Sequence, residues 1–516
     1  MTKSISQFLP SDYQQNPEKF SWPVARDDIA LVRDKFIKQI ILISKNPQKE
    51  HHKYYKILGL LWVNQVIQAY HFLSACDAFK TAHIKPNFDG DCGFMRAIWN
   101  GDKPELPDYL NSLEQGLSSE PAFILFLKGL KRNFTPNPLK YKPNFLVNFD
   151  NDIIVSSTGE LIFKHAENIQ KPLIYIPRSF WFKNHMPISR QSDYDFEEFF
   201  NIIEEAFGDK RTLITDIYKD WFKEIYTRSI SACHAHIHYL QSNPNIIPKN
   251  LWIGSGGVMW DRIMKFVVTE NGGSVTGHDH GSGIGHMVSK SRALSECNDC
   301  HYFVPFNKDK EMFSQALDHD FLFEDLPEIT PIFQSQTTMD TSSHRPLQNI
   351  KKILVIPYGP DQNTSRFLTT PHDSVKSDFL IRILDQLKKL DYDVTLKPHP
   401  HCPLPLSKQY LEEHDITLAT GNIEAAFNKT DAVLFLHHYT TTFREAFIHG
   451  LPIILIDPQF EKWVPDAFEK LKKRCSIIPS YYDENNRIQI NFTKLEQEIK
   501  DASNRMDRAY FETYYQ

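Results

Sequence analysis

The amino-acid sequence predicts an α/β protein with two parallel-sheet domains behind a helical N-terminal segment. Apolar residues recur at helical spacing from about Ile29 to Ala82, with little turn punctuation. Short β-rich and helical runs then alternate from about Lys140 to Pro305. Beyond the polar, turn-rich stretch Phe333–Asn349, four continuous apolar runs are typical of strands buried on both faces.

The length allows several domains. A chain of 516 residues, 41% of them hydrophobic, can bury more than one core, since domains usually span about 100–200 residues. We expect a helical segment over 1–110 packed on the first domain, and Rossmann-like domains over 111–335 and 346–490. A C-terminal helix over 491–516 is expected to cross back onto the first domain.

Charge and apolar patterning exclude some classes of partner. The formal net charge is −6 and no long block of Lys or Arg occurs, which argues against nucleic acid. No apolar run of about 18 residues occurs, so the sequence predicts a cytoplasmic protein, with docking at the inner face of a membrane left open. The seven cysteines lack a repeating spacing, which favours reduced thiols. Cys297–His301 spells Cys-x-x-Cys-His and is interpreted as a turn before a strand at His301–Phe306.

The first domain is predicted to alternate strands with helices. The predicted strands are Phe145–Phe149, Leu173–Pro177, Leu251–Ile253, Ser274–Thr276 and Tyr302–Val304. The predicted helices are Phe196–Phe207 and Asp216–Tyr239. Such alternation implies a mostly parallel sheet covered on both faces.

The second domain has clearer strands. They are Lys352–Pro357, Asp393–Leu396, Asp431–Leu436 and Pro452–Asp457. Six apolar residues between the first two form one helical face, namely Phe379, Leu380, Ile383, Leu384, Leu387 and Leu390. The sequence therefore predicts a βαβ unit here and a single helix from Lys494 to Tyr515 in the tail.

Chemically active segments follow three of these strands. They are Tyr358-Gly359-Pro360, Lys397-Pro398-His399-Pro400-His401 and His437-His438-Tyr439-Thr440-Thr441-Thr442. Ligands of open α/β sheets bind beyond the carboxyl ends of the strands, so we expect the three segments to form one binding edge.

The third segment has the features of a phosphate site. Thr442 and Glu445 form a capping box, and Gly450 followed by Pro452 ends the helix. Free N–H groups and the positive dipole end of a helix N-terminus favour an anion, and hydroxyls add donors. Lys397 would supply a charge and His399 a hydrogen bond. The alternative is that the threonines only cap a helix while Lys397 is solvated.

These motifs carry a family resemblance. Lys397–Pro400, Thr440–Ala446 and Gly450–Ile454 resemble the C-terminal half of GT-B glycosyltransferases of bacterial surface polysaccharides. In the sialyltransferases and capsule Kdo transferases of that class, a His-Pro motif and a Ser/Thr pair hold CMP. The resemblance implies two Rossmann-like domains facing a cleft, and donor binding by Tyr358, Gly359, Lys397, His399, Pro400, Thr440, Thr441, Thr442 and Glu445. A threonine triplet replaces the commoner serine pair.

A second resemblance lies in the first domain. Leu251–Gly257, Lys265-Phe266 and Gly277–Gly285 are similar to a pattern in transferases of surface-carbohydrate loci, where Gln-His-Gly-Gly follows a strand, and His51–Trp62 resembles their N-terminal segment. Asp279 stands where the glutamine is usual. Read as chemistry, a carboxylate in a glycine-rich loop can attack, take a proton or stabilise a cation, so Asp279 and His280 are the predicted catalytic residues.

Two other candidate sites rank lower. His234, His236 and His238 would share one face of a strand, as in a metal-dependent hydrolase, but the surrounding pattern is helical. Asp89-Gly90-Asp91 and Asp150-Asn151-Asp152 match the Asp-x-Asp of metal-dependent transferases, yet such triplets are common in turns.

The family resemblance implies a glycosyltransferase that moves a CMP-activated ulosonic acid, such as Kdo or a sialic-acid-like sugar, onto a bacterial surface glycan. Its partners would be a nucleotide-sugar donor and a glycan or glycolipid acceptor, with no cofactor and no metal. The alternatives are a UDP-, GDP- or CDP-linked donor, a metal-dependent hydrolase using His234, His236 and His238, and a non-catalytic carbohydrate-binding or scaffold protein.

Overall fold

The computed structural model describes most of the chain. The described residues are 13, 15–46, 48–85, 93–116, 154–156, 173–175, 178, 181–182, 194–254, 258–278, 286–288, 290, 293–305, 314–323, 325–329, 350–358, 371–399, 404, 406–437 and 441–515. Within them, no helix is both long enough and apolar enough to cross a membrane.

The N-terminal segment is helical, as predicted. Its helices are α1 (Arg26–Lys45), α2 (His52–Thr81), α3 (Gly93–Asn100) and α4 (Asp108–Gln115). α1 and α2 pack against each other, and α2 is buried on several faces. Gly59 makes the close approach possible, because a Cβ there would lie 2.7 Å from Ile40 Cγ2.

Among the described residues, the first sheet has six strands, all of them parallel. They are β1 (Ile154–Ser156), β2 (Leu173–Tyr175), β3 (Asn250–Ile253), β4 (Ser274–His278), β6 (Tyr302–Val304) and β7 (Glu328–Ile329), in the spatial order β2-β1-β3-β4-β6-β7. The helices of this half are α5 (Phe196–Phe207), α6 (Asp216–Gln241) and α7 (Met259–Glu270). The predicted strand Phe145–Phe149 lies outside the described residues.

The part of the second sheet that the structure describes is also parallel and has six strands. Its strands are β8 (Lys352–Ile356), β9 (Asp393–Leu396), β10 (Thr417–Leu418), β11 (Ala432–Phe435), β12 (Ile453–Asp457) and β14 (Cys475–Pro479), in the order β10-β9-β8-β11-β12-β14. The helices are α8 (Asp373–Lys389), α9 (Lys408–Glu413), α10 (Ile423–Phe427), α11 (Thr441–Ile448) and α12 (Pro465–Arg474). Counted along the chain, this order is 3-2-1-4-5-6, the Rossmann arrangement.

Two Rossmann-like parallel sheets behind a helical segment confirm the predicted fold class. The apolar runs of the second domain became strands because both faces are covered, and β11 and β12 are buried throughout. Of the predicted α8 face, Phe379 through Leu387 are buried.

The tail differs from the prediction of a single helix. Two helices, α13 (Phe492–Asp501) and α14 (Ala509–Tyr514), are separated by a short 3₁₀ turn and an irregular stretch. The Asp507 carboxylate accepts a hydrogen bond from the Ala509 amide at 2.8 Å, which starts a new helix instead of continuing the first. The hydroxyl of Tyr510 in α14 forms a hydrogen bond of 3.0 Å with Nδ1 of His286 in the first half.

The two halves also share a small antiparallel ribbon. It consists of β5 (Met287–Val288), which follows the first sheet's β4, and β13 (Lys462–Trp463), which follows β12 of the second sheet. A second small ribbon, β15 (Tyr481–Tyr482) with β16 (Ile488–Gln489), lies within the second half.

The N-terminal segment is fixed to the second domain through a buried carboxylate. Asp378 of α8 is fully buried and accepts hydrogen bonds from Tyr13 Oη at 2.6 Å and Arg487 Nη2 at 2.6 Å. Arg382, one turn along α8, donates a third at 2.8 Å. Trp22 adds an apolar contact by stacking on His372 with ring centroids 3.9 Å apart.

We predict that Asp378→Ala lowers the free energy of unfolding by about 3–5 kcal/mol, because two arginines lose their buried counter-ion. Tyr13→Phe removes one hydrogen bond and should cost about 1 kcal/mol. Urea titration followed by fluorescence measures both. Asp415→Asn, whose side chain is 97% exposed, serves as the control and should leave the midpoint unchanged.

Candidate functional site

The order of the second sheet creates a crevice where its connections reverse. β9 and β10 lie on one side of β8, and β11, β12 and β14 lie on the other side. The chain connections that follow β8 and β11 therefore run in opposite directions. Ligands of such sheets bind in the crevice between the ends of these two strands. Tyr358 and His437 each lie two residues beyond the end of one of these strands.

Tyr358 and His437 lie in contact at this crevice. Their rings stack with centroids 5.1 Å apart and an interplanar angle of 11°. His437 Nε2 donates a hydrogen bond to the Pro357 carbonyl oxygen at 3.2 Å, which fixes the proton on Nε2 and leaves Nδ1 as the acceptor. The Tyr358 hydroxyl is buried and has no hydrogen-bond partner among the described residues. The stack therefore places a fixed imidazole at the carboxyl edge of the sheet.

His437 is neutral at physiological pH. Burial lowers its pKa to about 4; the hydrogen bond to the Pro357 carbonyl opposes the shift, and the charges of Lys376 and His399 add to it. Because the charge of His399 helps to lower the pKa of His437, the segment after β9 lies close to the segment after β11. The sequence places His437 in the segment after β11 but gives it no binding role, since a histidine stacked on a distant tyrosine has no periodic signature.

Lys397 and His399 follow β9, as predicted. Lys397 is half-buried, and its ammonium group contacts the Pro398 carbonyl at 3.4 Å. His399 is exposed. A half-buried cation beside an exposed imidazole suits an anionic ligand that arrives from solvent.

The helix after β11 begins earlier than the capping box predicted. α11 starts at Thr441, so Thr442 is its second residue and not its N-cap. Glu445 is the fifth residue of this helix, not the third as a capping box requires, and its carboxylate pairs with Arg444 Nη1 at 3.2 Å. The predicted box therefore lies two residues too late in the sequence, while the helix still follows β11.

Several predicted residues lie outside the described part of the chain. They are Gly359, Pro400, Thr440, the side chain of Thr441, and the predicted catalytic residues Asp279 and His280. Asp89, Asp91, Asp150 and Asp152 lie outside it as well.

Lys376 was not predicted from sequence. It lies in the first turn of α8, the helix that follows β8, and pairs with the Asp373 carboxylate at 2.9 Å. Both residues are buried, at 6% and 7% exposure, which is uncommon for surface helices. The lysine charge also lowers the pKa of His372, although burial is the larger cause and brings that pKa to about 3. The sequence of α8 does not predict this buried ion pair, because only its apolar residues recur at helical spacing.

At the edge of the first sheet, His278 ends β4. Its imidazole lies against the backbone of Gly254, where a Cβ would stand 2.0 Å from the ring. The glycine after β3 is therefore required by the neighbouring strand. The seven residues 279–285 connect His278 to His286 and β5.

The histidines proposed for a hydrolase do not converge. They lie on helix α6, where His234 Nδ1 bonds to Tyr54 Oη at 2.6 Å and His236 Nε2 bonds to the Leu113 carbonyl at 2.7 Å on another face. Helical spacing separates His236 from the other two. The metal-dependent hydrolase is therefore not favoured.

The Cys-x-x-Cys-His segment is structural. Cys297 and Cys300 are buried free thiols, and Lys265 Nζ contacts Cys300 Sγ at 3.1 Å. His301 Nδ1 accepts the Val275 amide at 3.1 Å, and the strand that follows is β6, shorter than predicted.

Among the described residues, one cluster could hold a metal ion, formed by His51, His52 and Glu198. Its geometry favours hydrogen bonding instead. Glu198 Oε2 lies 3.0 Å from His52 Nε2 and 3.2 Å from Lys49 Nζ, so a cation already occupies the carboxylate. His52 Nδ1 accepts the Gln48 amide at 3.2 Å, which places the proton on Nε2 and denies that atom to a metal. The cluster joins the starts of α2 and α5.

We predict that Glu198→Gln destabilises the protein by about 1–3 kcal/mol at pH 7, because a charged acceptor is lost. Burial opposes ionisation of Glu198, but hydrogen bonds from His52 and Lys49 outweigh it and lower its pKa. A lowered folded-state pKa contributes stability that is present above the unfolded pKa of about 4.3 and is lost as pH falls through the folded value. Thermal melts from pH 7 to pH 3 should show the difference between wild type and variant shrinking below about pH 4; a constant difference would contradict the assignment.

Comparison with known proteins gives little. No family model matches the chain, and no curated protein sequence matches it. A UDP-glucosyltransferase from Polygonum tinctorium that glucosylates indoxyl, solved with 3,4-dichloroaniline, is similar in structure. The match has 9% identity and a TM-score of 0.32, and covers 69% of this chain and 93% of that chain. A likeness of this size does not assign a function.

Proposed function

We propose that the protein is a glycosyltransferase whose nucleotide-sugar donor binds at the carboxyl edge of the second sheet. The single observation that carries the proposal is the arrangement of that edge. In a sheet of order 3-2-1-4-5-6, Tyr358, Lys397 and His437 follow three adjacent strands, β8, β9 and β11. Adjacent parallel strands end at the same edge, so these residues share one crevice.

The chemistry of the crevice suits a phosphate joined to an aromatic base. Lys397 supplies a half-buried positive charge, and the start of α11 supplies the positive end of a helix dipole. The buried Lys376 adds positive potential nearby, as its effect on the pKa of His437 indicates. Thr440, Thr441 and Thr442 would add hydroxyl donors, and Gly359 and Pro400 would shape the loops around them.

A nucleotide sugar fits this edge better than a dinucleotide or a triphosphate. The chain has no Gly-x-Gly-x-x-Gly motif after a strand with an acidic partner and no Gly-Lys-Thr loop. The preference for a CMP-linked ulosonic acid, and for a surface glycan as acceptor, rests on the resemblance of the His-Pro and threonine segments. A UDP-, GDP- or CDP-linked donor would use the same phosphate contacts and is the alternative.

For the chemical step we propose Asp279, with His280 as its neighbour. Both follow directly on His278, the last residue of β4 in the first sheet. Transfer of a sugar passes through a transition state with oxocarbenium character, so a carboxylate there would stabilise positive charge, attack the anomeric carbon or take the proton of the acceptor.

We predict that the protein binds CMP or another pyrimidine nucleotide and that His399→Ala weakens this binding about 5- to 150-fold, equivalent to about 1–3 kcal/mol for a lost charged hydrogen bond. Isothermal titration calorimetry with CMP, CDP, UDP and GDP measures it. His319→Ala, an exposed histidine of the first half, is the matched control. Equal affinity of the two variants would remove His399 from the site, and no binding by the wild type would remove the proposed function.

We predict that Asp279→Asn lowers kcat by at least about 100-fold, while nucleotide affinity and melting temperature stay near wild type. The amide keeps the size of the side chain and removes its charge. Asp391→Asn is the control, since Asp391 is exposed and its positive φ of 62° suits asparagine. Near-normal turnover would transfer the catalytic role to His280.

A further inference from the structure

The Cys-x-x-Cys-His segment packs the first domain, and one of its thiols is also placed for covalent chemistry. Cys300 Sγ lies 3.1 Å from Nζ of Lys265, which belongs to helix α7, 35 positions earlier in the sequence. Lys265 is 1% exposed and Cys300 is 8% exposed, so neither side chain extends into solvent. The sulfur and the nitrogen are therefore in contact without any movement of the backbone.

Lys265 has no carboxylate partner among the described residues. Its Nζ donates to the backbone carbonyls of Asn298 at 2.9 Å and Glu296 at 3.4 Å, and Cys300 Sγ is the third acceptor. The Asp299 carboxylate, next to the cysteine, pairs instead with Lys56 at 2.7 Å. Of the three acceptors around the lysine nitrogen, the sulfur alone can become an anion.

A second buried cation lies near the same sulfur. Arg262 precedes Lys265 by three residues on α7 and is 1% exposed. Burial lowers the pKa of Arg262, and the negative charges of Asp299 and Cys300 oppose the shift. Cations beside a sulfur favour the thiolate, which is the form of cysteine that reacts with oxidants.

The surrounding backbone holds the sulfur against the lysine. A Cβ at Gly277 of β4 would lie 2.7 Å from Cys300 Sγ, so glycine is needed there to leave room for the sulfur. Asp299 has a positive φ of 59°, a conformation that Asp adopts more readily than most residues. The strand and the turn together fix the direction of the Cys300 side chain toward α7.

Cys300 lies just below the surface, unlike other buried thiols of the chain. The next residue, His301, is exposed. Cys76 is 2% exposed and Cys233 is fully buried. Burial raises the pKa of both thiols, that of Cys76 to about 12, so both stay protonated. Cys76 donates to the Met95 carbonyl at 3.8 Å and not to a charged group, so these two thiols are internal controls for reactivity.

We propose that Lys265 and Cys300 form a covalent sulfur–nitrogen bond when the protein is exposed to hydrogen peroxide. The sulfur attacks one oxygen of the peroxide, the O–O bond breaks, and a sulfenic acid and a hydroxide ion form. The hydroxide takes a proton from the lysine, whose amine then attacks the sulfur. The S–O bond breaks, and its oxygen leaves as water.

The step is balanced in atoms and electrons. One thiol, one amine and one hydrogen peroxide give one S–N bond and two waters. The sulfur is oxidised by two electrons, and the peroxide is reduced by two. The bond joins α7 to the turn before β6, and it is independent of the proposed transferase activity.

Mass spectrometry of the full-length protein after treatment with hydrogen peroxide tests the proposal. The intact wild-type chain should lose the mass of two hydrogen atoms, and dithiothreitol should restore it, because a thiol attacks the sulfur of the S–N bond. Peptide mapping without reductant should give one cross-linked species that contains Lys265 and Cys300. Cys76 and Cys233 should stay unmodified in the same sample.

Three variants identify the two partners. Lys265→Arg keeps the charge but removes the nucleophilic amine, so Cys300 should stop at the sulfenic acid, which dimedone traps. Lys249→Arg, which changes an exposed lysine of the same domain, is the matched control and should form the link as wild type does. Cys297→Ser should also leave the link intact.

Two results would overturn the proposal. A mass loss that persists in Lys265→Arg and disappears in Cys297→Ser would show a disulfide between Cys297 and Cys300 instead. A wild-type chain that stays unchanged, or is oxidised at Cys300 with no cross-linked peptide, would show that the contact is only a hydrogen bond. The wild-type peptide map decides the question even if a variant fails to fold.

Discussion

The parallel pairing of β8 with both β9 and β11 is the constraint on which the rest of the candidate site depends. β8 is the first strand of its domain, yet it lies at the centre of the sheet, because later strands add to both of its sides. Right-handed crossovers then place helices on opposite faces and open a crevice above β8 and β11. The rings of Tyr358 and His437 stack at this crevice, and Lys397 follows the neighbouring strand β9. A change in the order of the strands would separate all three.

The N-terminal segment packs against the second half as well as against the first. Tyr13 reaches Asp378, Trp22 stacks on His372 and hydrogen-bonds to His71 of α2 at 2.8 Å, and Arg26 donates to the Phe460 carbonyl at 2.9 Å. These contacts cover the start of α8, which explains how Asp373 and Lys376 come to be buried in a helix of a Rossmann unit. Burial of charge is tolerated there because the two residues pair with each other. Residues of the N-terminal segment thus contact α8 and its cap across more than 300 positions of sequence.

Much of the fold could be predicted from sequence, and less of the site. β9 and α5 have the predicted bounds, because continuous or periodic apolar runs reflect burial directly. β4 extends to His278, beyond its predicted end, because backbone pairing with β6 continues through residues that are neither β-branched nor apolar. The helix α11 starts two residues earlier than the predicted cap at Thr442 implies, since Thr440, Thr441 and Thr442 are chemically equivalent as caps. Contacts between residues distant in sequence, such as Tyr13 with Asp378 and His437 with Tyr358, leave no local pattern, and only the three-dimensional structure brings them together.

The central claim is that a nucleotide binds at the carboxyl edge of the second sheet. Hydrogen exchange measured with and without saturating CMP tests it most directly, because protection reports the position of the ligand as well as its presence. The account predicts slower exchange in the segments after three strands, at residues 357–360, 397–401 and 437–445, and unchanged exchange in α6 around His234. Protection confined to the first half, or no protection at concentrations that saturate binding, would contradict it.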